Sequence, residues 1–187
     1  MALDSLSKEM QLQRLLDKAA IEDCLVRYCH AVDRCEPDLL RTVYWPEATD
    51  DHVFWVGGAE DFVNYCMPFL RSRDQTMHSI SSILIRFDEN EARVQCYYHA
   101  YERVRRKDGT SNDITFHGRY LDRFEKRGDE WRIADRKVMI DWWRIWKDSA
   151  DWTRGIFGVP VTPGKRGDED PSAVLFGDRL RMPYPGK

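Results

Sequence analysis

The sequence predicts an α+β fold in which N-terminal helices cover one face of a curved antiparallel sheet. Two observations support this prediction. Apolar residues recur at helical spacing through most of residues 7–70, whereas the second half contains long runs of alternating or β-branched and aromatic residues, separated by compact turn sequences. Helices followed by hairpin-connected strands form two packed layers. At 187 residues, the chain is long enough for about one domain with one hydrophobic core.

The first predicted element is a long amphipathic helix over residues 7–33. Leu16, Ala20, Cys24 and Tyr28 recur at helical spacing, so they lie on one stripe of this helix. The apolar stripe is expected to face the core, and the charged residues between its members are expected to face solvent.

Three shorter elements follow the first helix. A second helix is predicted to begin near Pro37, a residue suited to a first helical turn, and to run through LLRTVYW before Pro46 ends it. The run DDHVFWVGG is predicted to be a strand that ends at a Gly-Gly turn, and AEDFVNYCMPFLRSR is predicted to be a third helix.

Four consecutive strands are predicted in the second half of the chain. Their sequences are SISSILIRF, EARVQCYYHAYERV, DITFHGRYLDRFEKR and EWRIADRKVMIDWW. Compact turn signals separate them at residues 88–90, 107–109 and 127–129, which indicates antiparallel hairpins. The Arg-Gly-Asp triplet at residues 127–129 is therefore interpreted as a hairpin tip.

A curled sheet covered by helices encloses a pocket, and strand alternation predicts which residues line it. Alternation groups Tyr97, His99 and Tyr101 on one face of their strand and Cys96, Tyr98 and Ala100 on the other. The first set is expected to face the pocket, as the family resemblance described below implies for His99. Gly118 lies in mid-strand, where a missing side chain leaves room for a bend or a ligand. The aromatic content of 12% suits an apolar or ring-shaped ligand. The predicted substrate-binding residues are Trp55, Tyr97, Tyr101, Phe116, Gly118, Tyr120, Val138 and Ile140.

Composition excludes several classes of function. The 29 basic and 32 acidic residues are scattered, giving a net charge of -3 and no basic block to follow a phosphate backbone, so nucleic acid is not an expected partner. No signal sequence or membrane span is recognised, and we expect a cytoplasmic protein without membrane contact. The five cysteines are expected to be buried free thiols. The five histidines lack metal-ligand spacing, so no metal is expected.

The C-terminal region differs in composition from the rest of the chain. We expect one domain over residues 1–152 and an irregular tail, rich in Pro, Gly and charged residues, over residues 153–187. Tryptophans follow the last predicted strand too densely for one small core, so part of this cluster is expected at a homodimer or homotrimer contact or under the tail. These residues are Trp142, Trp143, Trp146 and Trp152.

Three segments resemble the SnoaL-like group of the NTF2-like superfamily. They are IEDCLVRYCHAVD at residues 21–33, MHSISSI at residues 77–83 and GRYLDRFEKRGDEWRIADRKV at residues 118–138. The resemblance covers about residues 10–145 and implies a cone-shaped α+β fold. The group includes dehydratases and a dehydrochlorinase that need no cofactor.

The resemblance also implies a catalytic site. Asp33 and His78 occupy the positions of an aspartate at the end of the first helix and a histidine that it hydrogen-bonds. Tyr28, Arg136 and His99 match functional residues of individual enzymes in the group, although a lysine of the dehydrochlorinase is replaced here by Tyr28. The residues themselves leave alternatives open, since Tyr28 lies on an apolar stripe and Arg136 suits a plain ion pair.

An Asp–His pair is suited to removing a proton from carbon, because the carboxylate orients the imidazole and stabilises the imidazolium that forms. Asp33 also lies near a helix C-terminus, where the helix dipole disfavours a negative charge unless a partner offsets it. These arguments predict a cofactor-independent dehydratase or isomerase for a small hydrophobic cyclic hydroxy-ketone, hydroxysteroid or polyketide-like substrate. The alternative is a non-catalytic module that binds a ligand or partner, as the small subunit of aromatic-ring dioxygenases does.

Overall fold

The computed structural model describes residues 7–151 and 154–177. Its N-terminal helices are α1 (Lys8–Arg34), α2 (Pro37–Arg41) and α3 (Ala59–Arg71). Its strands are β1 (Tyr44–Asp51), β2 (Val56–Gly58), β3 (Gln75–Asp88), β4 (Glu91–Arg105), β5 (Ser111–Arg127) and β6 (Glu130–Lys147). A short helix, α4 (Pro171–Phe176), lies near the C-terminus.

The strands form one sheet in the order β2-β1-β6-β5-β4-β3. The hairpins from β3 to β6 are antiparallel, as the sequence predicts. The sheet as a whole is mixed, however, because β1 pairs with β6 in parallel and with β2 in antiparallel orientation. The three predicted turns join successive strands, and Gly109 and Gly128 supply the positive φ angles of 82° and 62° that tight turns require.

The long first helix is confirmed. Ser7 caps its N-terminus by accepting a hydrogen bond from the Met10 amide, and Cys35 ends it in a left-handed conformation. The second half of α1 is buried against the sheet and includes Cys24 and Tyr28, whereas Leu16 is exposed. We call the side of the sheet that the helices cover the inner face, and we call the opposite side the outer face. All five cysteines are buried free thiols, as predicted.

The prediction for the segment after α1 was wrong in two places. The second helix ends at Arg41, and Pro46 lies inside β1 instead of ending a helix. A proline lacks an amide hydrogen, but the β1–β6 ladder is irregular between Tyr44 and Thr49, so Pro46 interrupts no regular pairing. The predicted strand DDHVFWVGG is divided by a turn at Val53, whose φ is 67°, into the end of β1 and the short β2.

The C-terminal segment is less irregular than its composition suggests. Asp170 caps α4 by accepting a hydrogen bond from the Ser172 amide, and the Phe176 ring lies 6.0 Å from the His30 ring of α1. The segment therefore packs against the first helix of its own chain. In the described part of the chain, no helix has the length and apolar character needed to cross a membrane.

Three of the four clustered tryptophans are accessible in the single chain. Trp142, Trp143 and Trp146 are 50%, 62% and 38% exposed, and Trp152 lies outside the described residues. Exposed aromatic side chains of this density are typical of contact surfaces. The homodimer or homotrimer stays a prediction.

One carboxylate joins the far ends of β4 and β5 to the segment after β6. Asp113 accepts hydrogen bonds from the Tyr101 hydroxyl at 2.7 Å and the Arg103 guanidinium at 2.8 Å. It also accepts the Ser149 amide at 2.6 Å and the Ala150 amide at 3.0 Å. Burial opposes ionisation of Asp113, but these donors hold its pKa at about 2.

We expect acid to weaken the fold partly through Asp113. Because its pKa is lower in the folded than in the unfolded chain, the stability that it contributes is present above the unfolded value of about 3.9 and is lost as pH falls toward 2. Urea unfolding at about pH 5 and about pH 3 should therefore show a smaller loss of stability for Asp113→Asn than for wild type. Equal losses in both proteins would assign the acid sensitivity to other carboxylates.

Candidate active site

The structure brings Asp33 and His78 into direct contact. Asp33 lies at the end of α1, where it is 6% exposed, and His78 lies near the start of β3. One carboxylate oxygen of Asp33 is 2.7 Å from the His78 Nδ1 atom, and the other accepts the His78 backbone amide at 2.6 Å. Two bonds from one carboxylate to one residue fix the imidazole relative to the helix end. These bonds also offset the unfavourable helix dipole at Asp33.

The surroundings of Asp33 keep it ionised. Burial opposes ionisation, but the hydrogen bonds and charge of His78, with a further hydrogen bond from the Thr76 hydroxyl, lower the pKa of Asp33 below its ordinary value. An ionised carboxylate accepts a hydrogen bond, so the Nδ1 atom of His78 carries the proton. When the ring is neutral, its Nε2 atom is therefore the atom able to accept a proton from a substrate.

His78 stands at one end of a row of side chains that crosses the inner face. Cross-strand pairing places Ala100 beside His78, Phe116 beside Ala100, and Trp143 beside Phe116. Burial decreases along this row. Ala100 is buried, Phe116 is half-buried and Trp143 is exposed. The row therefore leads from the buried Asp33–His78 pair to solvent.

Apolar side chains flank this row on both sides. On one side, Ile140 pairs with Gly118, which in turn pairs with Tyr98. On the other side, Ile145 pairs with Ile114. Ile145 is 55% exposed, although large apolar side chains on an inner face are usually covered. We call this surface the apolar patch, and it consists of Ile114, Phe116, Ile140, Trp143 and Ile145.

Tyr28 and Arg136 lie deeper, in the core between α1 and the sheet. The Arg136 guanidinium makes two 2.8 Å bonds to Asp122 and lies 4.1 Å from the ring centres of both Tyr28 and Tyr120. Its Nη1 atom is buried without a hydrogen-bond partner. Burial opposes the positive charge, but Asp122 holds the pKa of Arg136 well above its ordinary value. The structure thus favours the ion-pair interpretation of Arg136 over direct contact with substrate.

Tyr28 matches the description of a core tyrosine. It is buried, packs edge-on against Tyr44 and Tyr120, and its pKa is raised well above the ordinary value by burial. Tyr120 and Val138, predicted to bind substrate, are also buried in this core. Both side chains pack in the core on the inner face.

The predicted orientation of β4 was wrong. Cys96, Tyr98 and Ala100 are the buried members of this strand, so Tyr97, His99 and Tyr101 lie on the outer face. Alternation separates the two sets, but both contain tyrosine and small or apolar residues, and the pattern alone does not show which set is covered. His99 therefore does not share a face with His78, and Tyr97 and Tyr101 do not belong to the apolar patch.

His99 has different neighbours on the outer face. Its ring stacks on His117 at 4.3 Å, and His117 stacks on Trp142 at 3.7 Å. Burial and the neighbouring His99 lower the pKa of His117. This stack crosses three adjacent strands on the side of the sheet that the helices do not cover.

Two other predicted substrate-binding positions also differ from expectation. Gly118 leaves no free room, since a Cβ atom there would lie 1.9 Å from the Met139 carbonyl oxygen and 2.9 Å from the Tyr98 ring. The β5–β6 register shifts beside Gly118, where Asp141 of β6 is left without a paired residue. Trp55 packs against Phe62 of α3, at the edge of the sheet opposite β3.

The sequence reasoning missed a second carboxylate–imidazole pair. Asp50 is fully buried, accepts a 2.6 Å hydrogen bond from the Tyr44 hydroxyl and lies 2.8 Å from the Nδ1 atom of His52. The His52 ring stacks on Phe62. The Asp-x-His spacing in a strand, which places both side chains on one face, was the signal that could have revealed this pair.

A polar cavity of about 500 Å³ lies elsewhere, at the ends of β3 and β4. Polar and charged side chains dominate its lining, so it suits an apolar substrate less well than the apolar patch does. It is lined by Asp74, Gln75, Arg103, Arg105, Gly109, Ser111, Asp148 and Pro163. Among residues 7–151 and 154–177, no group of three or more His, Cys, Asp or Glu side chains is arranged to hold a metal ion.

The fold and the site together define a class of small α+β proteins in which a helix-end aspartate holds a histidine inside a curled sheet. The SnoaL-like domain family matches residues 13–137, and the chain belongs to this family. The predicted cone-shaped NTF2-like fold is confirmed by solved structures. No curated protein sequence matches significantly.

Three solved structures illustrate the similarity. A putative scytalone dehydratase from Novosphingobium aromaticivorans is 20% identical, with a TM-score of 0.63 over 74% of this chain and 91% of its own. A hexachlorocyclohexane dehydrochlorinase from Novosphingobium barchaimii is 17% identical, with a TM-score of 0.62 over 81% of this chain and 98% of its own. The Kfla4162 protein from Kribbella flavida is 20% identical, with a TM-score of 0.63 over 68% and 93%.

Proposed function

We propose that the protein is a cofactor-independent lyase of the dehydratase type, or a closely related isomerase. Its substrate is a hydrophobic cyclic hydroxy-ketone, a hydroxysteroid or a polyketide-like compound. The single observation that carries the proposal is the Asp33–His78 pair, because it stands where the apolar patch meets the buried interior. A base with its tautomer fixed, next to exposed apolar surface, suits proton removal from a hydrophobic carbon acid. The family and the similar dehydratase-type structures are consistent with this chemistry.

The proposed reaction begins at the Nε2 atom of His78. This atom takes a proton from the carbon next to a carbonyl, and ionised Asp33 stabilises the imidazolium that forms. The electron pair released from the C–H bond forms a C=C bond as the β-hydroxyl group leaves. The His78 imidazolium returns its proton to that hydroxyl, so water departs and the histidine is restored. His99 is no longer a candidate acid, because it lies on the outer face.

The alternative of a non-catalytic binding module has weaker support. A module that only binds a ligand or partner needs no histidine with a fixed tautomer. Here two bonds from a buried carboxylate hold His78. A large apolar patch alone would suit both functions, so the choice between them depends on whether His78 performs chemistry.

The experiment is turnover of a panel of cyclic β-hydroxy-ketones and hydroxysteroid ketones, followed by the ultraviolet absorbance of the conjugated enone product. We expect wild type to convert at least one compound, and His78→Ala to lose about 10²–10⁴-fold in kcat, as removal of a general base predicts. His99→Ala is the matched control, because it deletes an equivalent ring from the outer face. Its kcat should stay close to that of wild type.

Two results would count against this mechanism. Equal kcat for His78→Ala and wild type would remove His78 from the chemistry. Equal losses in His78→Ala and His99→Ala would point to general damage to the sheet. Circular dichroism of each variant confirms that the fold is intact before the rates are compared.

A further inference from the structure

The C-terminal segment runs across the end of α1 and the start of β3, directly beside the Asp33–His78 pair. Arg34 donates to the Lys165 carbonyl at 2.6 Å and to the Asp170 carboxylate at 2.9 Å. Gln75 donates to the Gly164 carbonyl at 2.7 Å. Contacts from two different elements thus hold this segment in place.

Arg166 extends from this segment into the site. Its guanidinium donates hydrogen bonds to the backbone carbonyl of Asp33, to the Thr76 hydroxyl at 2.7 Å and to the Arg73 carbonyl at 3.5 Å. The planar guanidinium carries its donors in a fixed fork, so these bonds fix its position. One side chain of the tail therefore joins the last turn of α1 to the first residues of β3.

The hydrogen bond from Arg166 to Thr76 determines where the Thr76 hydroxyl can donate its hydrogen. Thr76 is almost fully buried, and its hydroxyl has one hydrogen and two acceptor sites. Arg166 carries no acceptor, so it uses an acceptor site of the hydroxyl and leaves the single hydrogen to donate elsewhere. A hydrogen bond from Thr76 is one of the causes that lower the pKa of Asp33, so we infer that the Asp33 carboxylate is the partner of this hydrogen. The hydrogen bonds therefore run from Arg166 through Thr76 to Asp33, and from there to His78.

We propose that Arg166 is a positioning residue of the Asp33–His78 pair, acting on Asp33 through Thr76. It lies outside residues 13–137, the part that matches the SnoaL-like family, so this chain supplies it from its own C-terminal segment. Its positive charge and the oriented hydroxyl both favour the ionised form of Asp33. The consequence for catalysis rests on the proposed function, whereas the effect on Asp33 does not.

The test measures the pKa of the Asp33 carboxyl group by carbon-13 NMR of the full chain, without any substrate. We expect Arg166→Gln to raise this pKa by roughly 0.5–1 pH unit, since it removes a nearby positive charge and frees the Thr76 hydroxyl. Arg154→Gln is the matched control, because Arg154 lies in the same C-terminal region and its side chain is 85% exposed. That control should leave the pKa of Asp33 unchanged.

A double-mutant cycle separates action through Thr76 from a general effect of the tail. Thr76→Val removes the hydroxyl at nearly constant shape, and we expect it to raise the pKa of Asp33 as well. In the Thr76→Val background, Arg166→Gln should raise the pKa of Asp33 by less than it does in the wild-type background. An unchanged pKa in Arg166→Gln, or fully additive effects, overturns the proposal. If Arg166→Gln does not fold, an unchanged pKa in Thr76→Val overturns it instead. A failed turnover assay affects the proposed function alone.

Discussion

Replacing Asp122 with alanine is expected to lower the free energy of unfolding by about 3–5 kcal/mol, the largest stability effect among the changes considered. The side chains of Asp122 and Arg136 are both fully buried and share two 2.8 Å bonds. Removing the carboxylate leaves a guanidinium without its counter-ion in the core. The rings of Tyr28 and Tyr120 offer only partial compensation, because a cation–π contact is weaker than a buried ion pair.

Urea unfolding monitored by circular dichroism measures this loss, and the chain offers a matched control. Asp141 makes the same kind of two-bond pair with Arg119, but these side chains are 35% and 31% exposed. Asp141→Ala should therefore cost only about 0–1 kcal/mol. If the two variants lose equal stability, burial does not govern the difference.

Replacing both members of the buried pair gives an independent check. Asp122→Leu combined with Arg136→Met exchanges the ions for apolar side chains. We expect this double variant to recover most of the stability lost in Asp122→Ala, because neither charge then remains buried. A double variant as unstable as Asp122→Ala would show that packing, and not the unpaired charge, causes the loss.

Replacing Asp33 with asparagine is expected to reduce turnover by about 10³–10⁴-fold while leaving the shape of the site nearly unchanged. An asparagine amide group can donate to the Nδ1 atom of His78, which selects the tautomer whose Nε2 atom already carries a proton. A neutral amide also gives the His78 imidazolium no charge stabilisation. Both effects disable His78 as a base, although its imidazole ring is kept and no cavity is created.

The comparison is made on kcat with any compound that the panel identifies. Asp50→Asn is the matched control, since it neutralises the carboxylate of the other carboxylate–imidazole pair, at His52. We expect the folded Asp50→Asn protein to lose far less turnover than Asp33→Asn. The reverse order would move the proposed chemistry from His78 to His52.

The predictable part of the site was the part determined by local sequence. Periodicity located α1 and so placed Asp33 near a helix end, and the family resemblance selected His78 as its partner. The faces of β4 were not predictable, because alternation divides a strand into two sets without showing which set the helices cover. Tyr97 and Tyr98 differ in burial through tertiary packing alone.

Other features depend on contacts between distant segments. Pro46 lies within a strand because the ladder beside it is irregular, which a sequence rule for prolines does not reveal. Arg166 lies in a segment without hydrophobic periodicity, so only the folded chain shows that it reaches Thr76. Asp122 was not singled out, since an aspartate in an alternating strand gives no sign that an arginine on the next strand lies opposite it.

The parallel pairing of β1 with β6 affects the order in which the chain can fold. Thr49 and Asp135 meet across this ladder although 86 positions separate them in the sequence. During synthesis, β1 leaves the ribosome long before β6 exists, so the edge of β1 that pairs with β6 must wait while the hairpins of β3, β4 and β5 form locally. Closing such a long loop is an entropic barrier that slows folding. The last strand to be made, β6, is therefore the one that joins β1 and β2 to β3, β4 and β5.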